Sequence, residues 1–166
     1  LRKGSRNVFH VRASYTDEVR RLVQRLAGMG LKDIGIVNLD NAYGREMLED
    51  ATRFLAEQGL KPLVQAALAT DGKNLSDVLA KVGQARPAAV LLATAGSVSV
   101  ELVRGLKKNL PGVLMAGLSV TLTSDGLKQL GDAGSGLAVT MVMPDPNRAK
   151  TALVRDYQAA MRAKGV

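Results

Sequence analysis

The sequence has 166 residues, 46% of them hydrophobic and 23% charged, a size and balance that predict one globular domain able to bury its own core. It has no cysteine and a single histidine, which excludes thiol nucleophiles and most zinc, haem and iron–sulfur sites, and we expect neither a metal nor a cofactor. The net charge of +8 would suit nucleic acid, but the basic residues are dispersed and aromatic residues make up only 3%, so we expect a solvated basic surface and no nucleic-acid partner.

The first predicted elements are an edge strand and a helix. In residues 8–11 apolar and polar side chains alternate, which is typical of a strand, and Arg6, His10 and Arg12 make it an edge strand or a crossing segment. His10 is most simply a residue of the edge strand. Thr16 is the predicted cap of the helix that follows, with Asp17 and Glu18 in its positively polarised first turn. Apolar residues then recur at helical spacing: Val19, Leu22, Val23 and Leu26.

A buried strand, a polar loop and an amphipathic helix follow within residues 34–55. The strand is predicted by Ile34, Ile36 and Val37, and the helix by apolar residues that share one face: Met47, Leu48, Ala51, Phe54 and Leu55. From this unit, open parallel sheets build ligand crevices at the carboxyl ends of their strands. We therefore predict a crevice wall at residues 39–44, with Tyr43 as its one bulky side chain.

Four more strands are predicted further along the chain, at residues 63–69, 88–93, 113–116 and 137–142. Amphipathic patterns predict four further helices: one capped by Asn74, one that carries Val98, a short one near Asp125 and a last one that carries Leu153. Strands that alternate with helices at a spacing of roughly 25 residues indicate βαβ units. We therefore predict an α/β fold with a doubly wound, mostly parallel five-stranded sheet and helices on both faces.

Three of the predicted loops follow strands and should open on the same edge of the sheet: residues 39–44, 94–97 and 117–121. Their polar groups are backbone amides and hydroxyls without clustered acids, which favours hydrogen bonding to a small polar ligand over acid–base catalysis. Gly96 also allows a ligand to approach the backbone closely. The hydroxyl-bearing side chains are Tyr43, Thr94, Ser97, Ser119 and Thr121. The alternative for Ser97 and Thr121 is that they only cap the helices that follow.

Each feature of the sequence that could indicate an enzyme has a better explanation. Asp40 follows a strand, as a phosphoryl-accepting aspartate would, but the loop after the last predicted strand offers no Lys, so capping of the next helix is favoured. The glycine-rich residues 131–136 precede a strand, whereas a phosphate cradle follows one, and they predict a turn. No Gly-x-Ser-x-Gly elbow occurs, and position suggests no Ser partner for His10. We therefore expect a binding protein and not an enzyme.

Five ordered segments carry a family pattern: VFHVRAS at 8–14, GLKDIGIV at 30–37, NAYGRE at 41–46, RPAAVLL at 86–92, and GLAVT with VMPDP at 136–146. In this order they resemble the middle of type I periplasmic binding proteins, and in particular the branched-chain amino-acid (Leu/Ile/Val) substrate-binding proteins of ABC transporters. The resemblance covers nearly the whole chain. It implies two α/β lobes that are joined by crossing segments and close on a ligand like a hinge.

On this resemblance, the chain is most of the second lobe and carries half of a binding site. Residues 14–143 would form the ligand-binding lobe, residues 1–13 a crossing or edge segment, and residues 144–166 a connector and terminal helix. The protein would be periplasmic, with its signal peptide absent from this fragment. The partners that the resemblance implies are a small-molecule ligand and the membrane permease of an ABC transporter. The isolated lobe would expose its cleft or hinge face and associate through it.

The resemblance also assigns the ligand-binding residues. Tyr43 matches the Tyr of the family's Tyr-Gly motif in the cleft, Ala95 and Gly96 match the next cleft loop, and Ser119 matches a third cleft position. Branched-chain amino-acid binders have an acid at that third position, which pairs with the ligand's ammonium group. Ser119 therefore leaves open a branched-chain amino acid or a related amino or carboxylic acid. An alternative function is the effector-sensing domain of a regulator or receptor, since these share the architecture.

Overall fold

The structure of the protein, a computed structural model, describes residue 7 and residues 9–165. Within it the chain forms two compact units. The first, Ser14–Thr140, contains the sheet and is called the sheet unit. The second, called the terminal unit, combines the described residues before Ser14 with the chain from Met141 onward. Among the described residues, no helix has both the length and the apolar composition that crossing a bilayer requires.

The described part of the sheet unit contains five strands and five α-helices in alternation. The strands are β1 (Ile34–Leu39), β2 (Val64–Leu68), β3 (Ala89–Ala93), β4 (Leu114–Gly117) and β5 (Leu137–Val139). The helices are α1 (Tyr15–Gly28), α2 (Ala42–Glu57), α3 (Leu75–Ala85), α4 (Ser97–Asn109) and α5 (Ser124–Leu130), which runs into a 3₁₀ turn at Gly131–Gly134. All pairings are parallel, and the strand order across the sheet is β2-β1-β3-β4-β5.

Two apolar cores cover the two faces of the sheet. β1 is buried along all six residues, as is typical of a strand with helices on both sides. Ile34 and Ile36 belong to the core shared with α1 and α2, whereas Val37 belongs to the core shared with α3, α4 and α5. Because side chains alternate along a strand, the two helix layers lie on opposite faces. The predicted doubly wound α/β fold is confirmed.

The edge strand that was predicted at residues 8–11 is wrong for the residues that the structure describes. Residues 9–11 lie in no helix or strand and are exposed, with 88% of Phe9 accessible, while Val8 lies outside the described residues. The five strands of the sheet all come from the sheet unit, whereas residues 9–11 belong to the terminal unit. His10 is therefore an exposed residue outside the sheet.

The cap of α1 is Ser14 and not Thr16, because a capping box forms two residues earlier than predicted. The hydroxyl of Ser14 accepts a hydrogen bond from the Asp17 amide at 3.2 Å, and the Asp17 carboxylate accepts one from the Ser14 amide at 2.9 Å. These reciprocal bonds satisfy two donors at the helix start. Glu18, one residue after Asp17, lies on the buried face of the helix.

The terminal unit contains α6 (Ala152–Ala163). The Thr151 hydroxyl caps this helix by accepting a bond from the Val154 amide at 3.3 Å, and the Gln158 side chain donates to the Pro146 carbonyl at 2.8 Å. A groove of about 240 Å³, called the apolar groove, is lined by six apolar residues: Met143, Pro144, Pro146, Leu153, Val154 and Tyr157.

The last strand of the sheet is shorter than the sequence predicted. A strand was expected at residues 137–142, whereas β5 ends at Val139.

Candidate ligand-binding site

The strand order creates a crevice at the carboxyl edge of the sheet. β1 and β3 are neighbours, yet the chain leaves β1 into α2 on one face and leaves β3 into α4 on the other. Where consecutive connections diverge in this way, the loops separate and a ligand crevice opens outside the carboxyl ends of the strands. β4 lies next to β3, so the segment that follows β4 lies at the same edge of the sheet and forms the third wall of the crevice.

Tyr43 lies in the first turn of α2, and not in the loop predicted at residues 39–44. Asn41 caps this helix by accepting a bond from the Gly44 amide at 2.8 Å. A Cβ on Gly44 would lie 1.9 Å from the Leu39 carbonyl oxygen, so glycine lets α2 begin against the end of β1. The prediction that Asp40 caps this helix is wrong, since the cap is Asn41. Asp40 is exposed and forms an ion pair with Arg45 at 3.1 Å.

The ring of Tyr43 packs edge-on against Tyr15, with 5.5 Å between the ring centroids and 78° between the planes. The residue is half-buried, and its hydroxyl oxygen is inaccessible to solvent. Burial, and then the nearby Tyr15 and Glu18, raise the pKa of the Tyr43 phenol well above its ordinary value. Tyr43 is therefore neutral at physiological pH, and its ring is the part that a ligand can contact.

Two buried polar atoms lack a hydrogen-bond partner among the described residues, and both lie near the end of β1: the Tyr43 hydroxyl oxygen and Asn38 Oδ1. Asn38 is 2% exposed, and its amide nitrogen donates to the Leu39 carbonyl at 2.9 Å. Leaving such a group unsatisfied costs about 1–3 kcal/mol, so it calls for an explanation. Their position at the crevice is consistent with polar groups that are retained for function.

The segment after β3 presents backbone to the crevice. Thr94 is fully buried and accepts a bond from the Ser99 hydroxyl at 2.9 Å, so its side chain is used inside the lobe. Ala95 is half-buried and Gly96 is exposed. Gly96 has φ 81° and ψ −165°, a conformation that side chains disfavour. α4 begins at Ser97 without a side-chain cap, and the amide of Ser99 donates to the Gly96 carbonyl at 3.1 Å. The amides of Ser97 and Val98 are therefore the ones that this helix start can offer to a ligand.

Thr121 is a structural residue, but it is not a helix cap. Its hydroxyl accepts from the Leu118 amide at 2.9 Å and donates to the Leu92 carbonyl at 3.2 Å, and the residue is fully buried. The cap of α5 is Thr123, which accepts from the Gly126 amide at 3.1 Å. The capping alternative is thus wrong for Thr121. It is also wrong for Ser97, which is the first residue of α4.

Ser119 is bonded to Glu18, a residue that sequence reasoning placed only at a helix start. The Ser119 amide donates to Glu18 Oε2 at 2.8 Å, and the Ser119 hydroxyl donates to Oε1 at 3.0 Å. The Thr140 hydroxyl also donates to Oε2. Glu18 is 4% exposed. One sequence signal could have found it, since Glu18 precedes Leu22 and Leu26 by four and eight positions and so lies on the apolar stripe of α1.

The structure therefore brings the four predicted site residues to one sheet edge: Tyr43, Ala95, Gly96 and Ser119. It adds Tyr15 and Glu18 from α1, which the sequence did not assign to the site. Within the part of the chain that is described, no group of three or more His, Cys, Asp and Glu side chains is placed to hold a metal ion. The groups present can pack on an apolar surface and form hydrogen bonds.

Comparison with known proteins places this geometry in a family context. The family model described as "Periplasmic binding protein" matches residues 2–166. A possible leucine/isoleucine/valine-binding protein from Rhodopirellula baltica SH 1 has 25% identity and a TM-score of 0.81, over 94% of this chain and 44% of that one. No curated protein matches the chain.

Two further solved structures share the fold. One is the solute binding protein of an ABC transporter from R. palustris in complex with benzoate, with 18% identity and a TM-score of 0.76 over 94% of this chain and 44% of that one. The other is a branched chain amino acid ABC transporter from Thermus thermophilus with bound valine, with 21% identity and a TM-score of 0.71 over 92% of this chain and 40% of that one. The chain thus spans less than half the length of each of these structures.

Proposed function

The chain belongs to the periplasmic binding protein family, and we propose that it is the second lobe of the substrate-binding protein of an ABC importer. The lobe would hold half of a site for a small polar ligand, such as an amino acid or a related carboxylic acid. One observation carries this proposal: the segments that follow β1, β3 and β4 lie at the same carboxyl edge of the sheet. Each of these three segments has a group that is suited to ligand contact. The family implies an extracytoplasmic location, and we place the protein in the periplasm.

Tyr43 is proposed to pack its ring on the apolar part of the ligand. Tyr15 and the first turn of α2 hold the ring, while Gly44 fixes that turn against β1. An aromatic ring that is immobilised before binding loses little conformational entropy when a ligand arrives. Because the hydroxyl is buried, the contact would be made by the ring and not by a phenolic hydrogen bond.

The backbone at Ala95 and Gly96 is proposed to bind an anionic or carbonyl oxygen of the ligand. The amides at the start of α4 are donors, and the aligned peptide dipoles of this 13-residue helix favour negative charge at that end. The exposed, side-chain-free Gly96 lets the ligand approach the main chain.

The mechanism we propose is a population shift between open and closed forms of the two-lobe protein. A ligand that contacts both lobes binds the closed form more tightly, and only this differential affinity can drive closure. The membrane permease of the transporter would then recognise the closed, loaded form. The residues of this lobe that would contribute to the difference are Tyr43, Ala95, Gly96 and Ser119.

The proposal is tested by ligand binding to the full-length protein from which the chain derives. A thermal-shift screen against amino acids, aromatic acids and small carboxylates should give at least one compound that raises the melting temperature in a concentration-dependent way. Tyr43→Ala should then weaken that compound's binding at least tenfold, about 1.4 kcal/mol.

Met29→Ala is the matched control, because Met29 is 54% exposed and lies between the end of α1 and the start of β1, at the opposite edge of the sheet. Its affinity should match that of the wild type. Equal affinity of Tyr43→Ala and the wild type would remove Tyr43 from the site. If the folded protein binds no compound of any class, and a DNA-binding segment accompanies this chain in the full-length protein, the regulator interpretation would replace the transport proposal.

A further inference from the structure

Asn74 stands at the cap position of α3, but its side chain is bonded to the neighbouring strand β2. The side-chain nitrogen donates to the Ala67 carbonyl at 2.9 Å, and the side-chain oxygen accepts from the Ala69 amide at 2.8 Å. Among the described residues, this side chain forms no capping bond with α3. The predicted cap is therefore a cap by position only, and its carboxamide serves the strand.

β2 is an edge strand of the sheet. Among the residues that the structure describes, the one strand that pairs with β2 is β1. The Leu68 carbonyl accepts a bond from the Asp40 amide at 2.8 Å, so the backbone groups of Leu68 face the β1 side. Successive residues of a strand turn these groups to opposite sides. Gln65 and Ala67 therefore direct their amides and carbonyls outward, away from β1.

The side chain of Asn74 occupies part of this outer edge. In a parallel ladder, one residue of an added strand would donate to the Ala67 carbonyl and accept from the Ala69 amide. The Asn74 carboxamide makes both bonds and so takes the place of that residue. The loop has backbone bonds of its own, because the Gly72 amide donates to the Ala69 carbonyl at 2.9 Å and the Leu75 amide donates to the Gly72 carbonyl at 3.0 Å. Its shape thus does not depend on Asn74 alone.

The sequence of β2 offers little other protection against strand pairing. Residues 63–69, Leu-Val-Gln-Ala-Ala-Leu-Ala, contain no charged residue, no proline and no glycine. Such a segment on a sheet edge is a template for pairing with another chain, and proteins protect their edges with charges, prolines or a covering group. Of these three means, β2 has the covering group, which is the side chain of Asn74.

A second copy of the chain fits this edge, because β2 can pair with itself. If a twofold axis passes through Ala66 of an antiparallel pair, Gln65 of one copy lies opposite Ala67 of the second copy, and both have outward backbone groups. Residues paired in this way exchange both of their N–H···O bonds. With the Ala67 carbonyl bonded to Asn74, each pair loses one bond, and the Asn74 side chain stands where the second strand would lie.

We propose that the outer edge of β2 is a pairing surface for a second copy of this chain, and that Asn74 keeps this surface closed in the wild-type protein. A twofold contact uses the same surface on both copies and is complete with two of them. Removal of the Asn74 side chain should therefore give dimers and not larger assemblies. The inference goes beyond the proposed function, because it concerns association and not the ligand.

The test is sedimentation velocity of the full-length protein from which the chain derives, over a wide range of concentration. Asn74→Ala should add a dimerisation step that the wild type lacks. Amide hydrogen exchange should locate the contact, since the outward amides of Gln65 and Ala67 should exchange at least tenfold more slowly in the Asn74→Ala dimer than in the wild type. Unchanged exchange at both amides in the dimer would overturn the inference.

Two further variants distinguish a free edge from a loosened loop. Asn74→Asp keeps an acceptor for the Ala69 amide, loses the donor to the Ala67 carbonyl and puts a charge on the edge, which disfavours strand pairing. It should keep the oligomeric state of the wild type. Gln65→Lys, at an exposed position of β2, should abolish the dimer of Asn74→Ala, whereas the matched control Gln24→Lys, at an exposed position of α1, should not.

Asn74→Ser keeps the inference testable if Asn74→Ala does not fold. A serine side chain is too short to reach β2 and is a preferred helix cap, so this variant should dimerise as well. Several results would overturn the inference: a folded Asn74→Ala or Asn74→Ser with the oligomeric state of the wild type, equal dimerisation of Asn74→Asp and Asn74→Ala, or a dimer that persists with Gln65→Lys. Species that grow beyond a dimer would also overturn it, because they need a second surface.

Discussion

At the residue scale, Tyr43 is half-buried and its hydroxyl is fully buried. The hydroxyl has no partner among the described residues, and its pKa is raised by burial first and by Tyr15 and Glu18 second. The phenol stays neutral in the folded protein at pH values at which an unfolded tyrosine, with its ordinary value of 10.0, has begun to ionise. Folding is thus linked to retention of this proton.

We expect the linkage to appear as a loss of stability at high pH. Above about pH 10 the unfolded chain binds fewer protons than the folded one at Tyr43, so the free energy of unfolding must fall as pH rises. Tyr43→Phe should flatten this fall, and near pH 7 it should leave stability unchanged or raise it by about 1 kcal/mol, because an unsatisfied buried group is removed. Urea unfolding of both proteins between pH 7 and 11 measures the effect.

A control for the pH effect is Tyr157→Phe, in which an exposed phenol is replaced. Its stability should follow the wild-type curve. The same slope in the wild type and in Tyr43→Phe above pH 10 would show that the Tyr43 phenol titrates normally in the folded protein.

At the scale of elements, the start of α2 depends on a close approach that only glycine allows. A Cβ on Gly44 would lie 1.9 Å from the carbonyl oxygen of Leu39 and 2.6 Å from its amide nitrogen, and both are backbone atoms that cannot turn away. The first turn of α2 carries Tyr43, so the same contact that joins strand and helix also places the ring. Tyr43 and Gly44 therefore act together, because the close contact at Gly44 fixes the position of the Tyr43 ring.

Gly44→Ala should therefore destabilise the protein by about 2 kcal/mol or more, since overpacking against backbone forces the helix start to move. It should also weaken ligand binding, because Tyr43 moves with the turn. Gly83→Ala is the matched control: this glycine lies in α3, where an added Cβ would have no neighbour within 4 Å, and the change should raise stability by about 0.5–1 kcal/mol. Chemical denaturation of both variants tests the contrast, and equal effects would contradict it.

At the scale of the whole molecule, the terminal unit exposes a set of apolar side chains, three of which also line the apolar groove. Those that are at least 49% accessible are Phe9, Val11, Met141, Met143, Leu153 and Tyr157. Exposed apolar patches of this kind mark surfaces that another chain or lobe covers. The chain spans less than half of the related structures, which is consistent with a surface covered in the longer protein.

We expect the 166-residue chain on its own to self-associate through this surface. Sedimentation velocity should show a concentration-dependent shift from monomer to larger species. The double variant Met143→Gln, Leu153→Gln should move the equilibrium toward monomer, since it removes two apolar side chains that are each 59% accessible. Lys61→Gln and Lys73→Gln in the sheet unit should not. A monodisperse monomer at all concentrations would contradict the expectation.

The fold could be predicted from local sequence patterns, because the apolar periodicity of a helix or a strand is a property of residues that are close together in the chain. The alternation of elements, the placement of Tyr43 near the end of β1 and the loop at Ala95 and Gly96 were all predicted, with boundaries that differ by a few residues. The edge strand at residues 8–11 was wrong, since alternation alone does not supply a neighbouring strand. The roles of the site residues stay predictions until binding is measured.

The sequence by itself determined the α/β class, the parallel sheet and the set of segments that could form a crevice, since each depends on spacing within about 25 residues. Only the tertiary structure decided which strands are neighbours, and so which segments share an edge. It alone joined Glu18 to Ser119 and Thr140, which lie 101 and 122 positions further along the chain. No local pattern encodes a contact between such distant residues.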